Sequence, residues 1–106
     1  MKTKTWDFYD EVLHTNIRVE LGNVLSDDRR DAEMAVEEKK IKDGTEVRYV
    51  IRLTSKKQFY SLVHEALHLV KHVFVDRNIP FNKHNDEMIA YYQEFVVKKI
   101  WRILNK

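Results

Sequence analysis

From Ser55 to Pro80 the chain reads SKKQFYSLVHEALHLVKHVFVDRNIP. Phe59, Leu62, Val63, Ala66, Leu67, Val70, Val73 and Phe74 recur there at steps of three and four residues, the period at which side chains line one side of an α-helix. The spacing predicts a largely buried amphipathic helix over about 56–78. Ser55 reads as its N-cap, because a hydroxyl there can accept from an unpaired first-turn N–H. Ile79-Pro80 reads as its stop, because the residue before a proline is pushed out of the helical region. His64 and His68 fall on the less apolar stripe. Four residues apart on a helix is a rise of about 6 Å on one face, so both imidazoles can point at one cation. Glu65, in the pattern His-Glu-x-x-His, then stands beside that ion's open side.

A tetrahedral zinc with one position left open needs a third protein ligand. The chain contains no cysteine, so imidazole and carboxylate are the ligands it can supply. A second apolar-periodic segment runs from about 86 to 104, and Asn85-Asp86-Glu87 opens it. Glu87 follows His68 by nineteen residues, room for a turn at Pro80 and a helix packing back across the first. It is the candidate third ligand. Asp86 and Glu87 would also complement the positive N-terminal end of their own helix, which is the plainer reason for acids there.

Taken together, His64, Glu65, His68 and the later Glu87 in an Asp-Glu-x-Ile-Ala-Tyr setting resemble the gluzincin group of zinc metallopeptidases. The brevity of the chain is similar to the group's minimal members, among them short proteins carried by phages and prophages. The resemblance spans roughly Ser55 to Leu104. It implies an active-site helix, a following helix bearing the glutamate ligand, and a small sheet whose edge strand lies over the cleft. It also implies a mechanism in which zinc on His64, His68 and Glu87 acidifies a water while Glu65 takes the proton and returns it to the leaving amine. Tyr91, Tyr92 or His84 would assist the oxyanion. The chain departs from the larger members at Tyr91, where they carry an aspartate or similar group four residues after the glutamate ligand. The extra domain that supplies their transition-state donor has no counterpart here.

The other histidines read differently. His72 continues the four-residue spacing, but three histidines along one straight helix span about 12 Å and cannot share one ion. It reads as a helix-face residue or as a hydrogen-bond partner of a ligand. A metzincin site is excluded by Leu69-Val70-Lys71-His72, which continues the helix where that group needs a glycine turn. His84 precedes the second helix and could cap it, lie on the surface or donate to an oxyanion. Tyr91 and Glu94 share a face with Glu87. Tyr91 stays open between the site and an aromatic packing face, whereas Tyr92 groups with Met88, Phe95 and Val96 as core.

The first half reads as strands, giving an α+β fold with a small, mostly antiparallel sheet and a single domain over 1–106. Thr5 to Leu13 and His14 to Leu21 alternate in part, with Ile17, Val19 and Leu21 on one side. Val47, Tyr49, Ile51 and Leu53 alternate with Arg48, Val50 and Arg52 in the clearest strand, 46–53, expected as the edge over the cleft. Asp43-Gly44 is a hairpin signal that would pair Met34 to Ile41 with it. Ser26-Asp27-Asp28 before Arg29 to Lys42 also reads as a capped polar helix; the hairpin is preferred.

Composition sets the outer limits. A chain of 106 residues, 43% hydrophobic and 11% aromatic, can build one core. Nineteen basic against seventeen acidic residues give a net charge of +2, too weak a field to argue for nucleic acid or a membrane surface. No apolar run has signal-peptide or membrane-spanning length, so a cytoplasmic product is expected. Two functions from different classes follow: a zinc-dependent peptidase acting on an extended peptide or protein, or a catalytically weak or inactive relative kept as an interaction module.

Overall fold

The structure, a computed structural model, describes residues 3–22, 24–25 and 31–106. Four strands, β1 (Lys4–Asp10), β2 (Thr15–Leu21), β3 (Ala32–Ile41) and β4 (Gly44–Leu53), precede α1 (Phe59–Asp76) and α2 (Asp86–Leu104), with a 3-10 turn at Lys83–Asn85 between the helices. The strands form one sheet in the order β1-β2-β4-β3. β1/β2 and β3/β4 are antiparallel and β2/β4 is parallel, so the α+β class and the mostly antiparallel sheet are as expected.

Two expectations need correction. Glu46 to Leu53 does pair with Met34 to Ile41 around Asp43-Gly44, and Gly44 has the positive φ that such a turn requires. But β4 lies inside the sheet, between β2 and β3, and β3 is the edge strand on that side. The alternative polar helix ending near Gly44 is replaced by β3 over Ala32–Ile41; its capping residues, Ser26 to Asp28, lie outside the described residues. The first strand ends at Asp10 rather than Leu13, because the Asp10 carboxylate accepts from the N–H groups of Val12 (2.8 Å) and Leu13 (3.3 Å) and bends the chain.

α1 is shorter than the periodic pattern at both ends. Ser55 does not cap it. The Ser55 hydroxyl accepts from Lys57 N–H (3.2 Å), while the Gln58 amide accepts from Thr54 and Ser55 N–H and donates to Thr54 Oγ (2.8 Å), so the helix begins at Phe59. At the other end Asn78 adopts the left-handed region (φ 57) two residues before Pro80. The Ile79 N–H then bonds the Phe74 carbonyl (2.8 Å) and the Asn78 N–H bonds that of Val75 (3.1 Å), which is the double closure of a Schellman motif.

Both helices cover one face of the sheet. Ile17, Val19, Tyr49, Ile51 and Leu53 from the strands pack with Leu62, Leu69, Val73, Val96 and Ile100 from the helices in one buried cluster. α1 packs against β3 and β4. α2 returns along the flank of α1 that carries Phe59, Val63 and Phe74: Trp101 meets Phe59 edge-on at 5.0 Å, Tyr92 lies 6.3 Å from Phe74, and Gln93 Nε2 donates to the Val63 carbonyl (3.3 Å). α2 also reaches β1 and β2, with Lys99 Nζ 5.7 Å from the Phe8 ring and Tyr92 bonded to Thr15.

Among the described residues no second layer packs on the other face of the sheet, which carries a charge ladder. Arg18 holds Asp7 (2.7 and 3.0 Å), Arg48 holds Glu37 (2.6 Å), and Arg52 joins Glu20 (2.6 Å), Glu33 (3.3 Å) and Glu37 (2.9 Å), so the pairs span all four strands. Among the described residues no helix is long and apolar enough to cross a membrane.

Candidate metal centre

Leu62, Ala66, Leu69, Val70, Val73 and Phe74 turn into the core, which leaves the opposite stripe of α1 facing outward. Tyr60, His64, His68 and His72 occupy that stripe at four-residue intervals, and all four are exposed. With Ser61 and the half-buried Glu65 they form one wall of an open chamber of about 710 Å³. The start of the edge strand supplies the other wall, through Asp31, Ala32 and Met34.

The two motif histidines converge. His64 Nε2 and His68 Nε2 are 3.2 Å apart, with the rings nearly perpendicular (75°) and their centroids 4.8 Å apart. Two imidazoles on one tetrahedral zinc, each about 2.0–2.1 Å from the metal, have nitrogens roughly 3.3–3.4 Å apart. The pair therefore fits a shared cation. In the metal-free chain the same separation suits one N–H···N bond, whose proton a cation would displace. Both rings must then carry their proton on Nδ1.

The remaining sequence candidates are placed elsewhere. Glu87 is exposed in the first turn of α2, beside Asp86, and does not line the chamber. The chamber opens on the β3 side of α1 and α2 packs on the flank of Val63, so the helix bearing Glu87 runs along a different side of α1. Among the described residues no group of three or more histidine, cysteine, aspartate or glutamate side chains is close enough to hold a metal. His84 is exposed in the 3-10 turn, and its backbone N–H donates to Asn82 Oδ1 (3.0 Å). Tyr91 borders a separate apolar groove of about 530 Å³ with Val12, Leu13, Met88 and Phe95. Glu94 pairs with Lys98 on the surface (2.6 Å).

Tyr92 is a core residue, as expected. Its hydroxyl donates to Asp10 Oδ2 and lies 2.9 Å from Thr15 Oγ, which itself donates to Asp10 (2.9 Å). Burial, reinforced by the Asp10 hydrogen bond, pushes the ionisation of this phenol far above its ordinary value. Sequence reasoning missed Tyr60 and Asp31. Tyr60 could have been found, since it stands four residues before His64 on the same stripe. Asp31 carried no local signal: β3 must skip past β4 to the sheet edge before its first residues face α1.

Compared with known protein-family models, curated proteins and solved structures, the chain matches none.

Proposed function

We propose that this chain is a minimal zinc metallopeptidase of the gluzincin type, acting on an extended peptide or protein in the cytoplasm. The observation that carries the reading is the 3.2 Å approach of His64 Nε2 and His68 Nε2 at the wall of an open chamber. Zinc bound there would supply Lewis acidity toward a water and a peptide carbonyl. Glu65, half-buried in the same wall, takes the proton of the attacking water and returns it to the leaving amine. Glu87 is the proposed third ligand, and Tyr91 and His84 the proposed helpers. All three depend on the family resemblance, because they stand outside the chamber.

The substrate would pair with β3. That edge is uneven: Glu37, Glu38, Lys39 and Lys40 charge its distal half, the usual protection against strand addition, whereas Ala32 to Val36 beside the chamber carry only one charge, Glu33. An extended peptide can add a strand along the proximal half and present a bond to the histidine pair.

The second reading, an inactive scaffold kept for binding, is favoured by the placement of Glu87 away from the chamber. Zinc analysis together with peptide-library hydrolysis separates the two. About one zinc per chain, turnover of extended peptides, and loss of turnover in Glu65→Gln with zinc retained are the expected results. Full zinc occupancy with no cleavage of any peptide would leave the binding scaffold.

A further inference from the structure

We propose that Asp31 selects positively charged substrates, binding the ammonium or guanidinium group of a peptide held along β3 beside the histidine pair. This deepens the reading of the chamber as a peptide cleft and rests on it. Three observations carry it.

Asp31 stands immediately before the edge strand and lines the chamber opposite His64 and Glu65. Its backbone is anchored, since both the N–H and the hydroxyl of Thr54 donate to its carbonyl (3.3 Å each). Its carboxylate has no ion pair or hydrogen bond among the described residues, whereas Asp7, Asp10, Glu20, Glu33 and Glu37 in the same sheet are all engaged. An anchored, solvent-facing carboxylate at a cleft wall is free to meet a ligand's charge.

The described lining of the chamber also lacks the opposite sign. Among the described residues no lysine or arginine lines this cavity. An acidic peptide side chain placed there would face Asp31 and Glu65 with no cation from the described lining beside it, and like-charge juxtaposition discriminates strongly against wrong partners. Tyr60 adds a favourable surface. It is 88% exposed, one turn before His64, and lines the same cavity, so its ring face can receive a lysine or arginine side chain.

The test measures binding without turnover. Zinc-loaded Glu65→Gln protein is titrated, by fluorescence polarisation, into fluorescein-labelled octapeptides of alanine and valine carrying one Lys, Arg, Leu or Glu at each position in turn. Each peptide is made with a free and with an acetylated amino terminus. We expect Lys or Arg at one position to bind about three- to tenfold tighter than Leu, and Glu weaker than Leu. Adding Asp31→Asn should remove the preference with zinc content unchanged, and Asp31→Glu should keep much of it. A preference that survives acetylation assigns the cation to a side chain; one lost on acetylation assigns it to the peptide's amino terminus. The proposal is overturned by equal binding of all peptides, by no binding of any, by a preference that persists in Asp31→Asn, or by loss of zinc in that variant, which would make Asp31 a ligand. Failure of the wild-type chain to cleave peptides would overturn the peptidase reading alone.

Discussion

Two polar clusters of similar size sit at opposite sides of the helical layer and obey opposite rules. At one, the carboxylate of the fully buried Asp10 accepts from Val12 and Leu13 N–H, Thr15 Oγ and Tyr92 O–H, so every polar atom is used. At the other, His64 and His68 have only each other, and the exposed Asp31 has no side-chain partner among the described residues. The first cluster ties the β1–β2 turn to α2. The second leaves donor atoms converging on solvent, and on the proposed reading they are held there for a ligand rather than for the fold.

Breaking each cluster should therefore have a different signature. His68→Ala should abolish tight zinc binding, measured by calorimetry, while the metal-free protein changes in unfolding free energy by about 0.5 kcal/mol or less, as expected for an exposed side chain. Asp10→Ala should do the reverse. It removes the acceptor shared by two hydroxyls and two backbone N–H groups, which costs about 2–4 kcal/mol and lowers Tm by roughly 10 °C or more, with zinc affinity of the folded fraction retained. Equal destabilisation by the two variants would erase the distinction.

The two faces of the sheet sharpen the contrast through pH. On the open face the Arg18 hydrogen bond holds Asp7 below its ordinary range, and that of Arg48 does the same for Glu37. A folded-state value below the unfolded one means their contribution is present above about pH 4–4.5 and lost as pH falls through the folded values. On the helix-covered face, burial raises the phenols of Tyr49 and Tyr92, and hydrogen bonds to Asp76 and Asp10 add to the shift. There the unfolded chain ionises first, so stability falls as pH rises above about 10. Thermal melts from pH 3 to 11 should show both limbs. Tyr92→Phe should flatten the alkaline one, and Arg48→Met the acid one. An acid limb untouched by Arg48→Met would assign it to other carboxylates.

Legibility followed the same division between local and long-range causes. The α1 pattern, the β3–β4 hairpin and the convergence of His64 with His68 depend on residues within a few turns of one another, and all could be read from spacing. Ser55 failed as a cap because Gln58 folds back on Thr54 and Ser55, a competition between side chains that composition does not rank. Alternation identifies a strand and says nothing of its neighbours: β4 has the stronger pattern, yet it is an inner strand, flanked by β2 and β3. Asp31 entered the chamber only through that strand order. Glu87 was placed from sequence by distance along the chain, which permits an approach to the histidines without specifying on which flank of α1 its helix packs.

The end of α1 offers the smallest effect and a clean separation of scaffold from site. Asn78 holds φ at 57 so that Ile79 and Asn78 can close onto Phe74 and Val75, and a residue with a Cβ pays to adopt that conformation unless its side chain compensates. Asn78→Ala should cost about 1 kcal/mol, and Asn78→Gly should be neutral or stabilising by a few tenths. Neither residue touches the chamber, whose lining ends at His72. Zinc affinity should therefore stay constant across both variants while the unfolding midpoint moves in opposite directions. A fall in zinc affinity that tracks the loss of stability in Asn78→Ala would mean that the histidine pair is held in register by the whole length of α1 rather than by the single turn between His64 and His68.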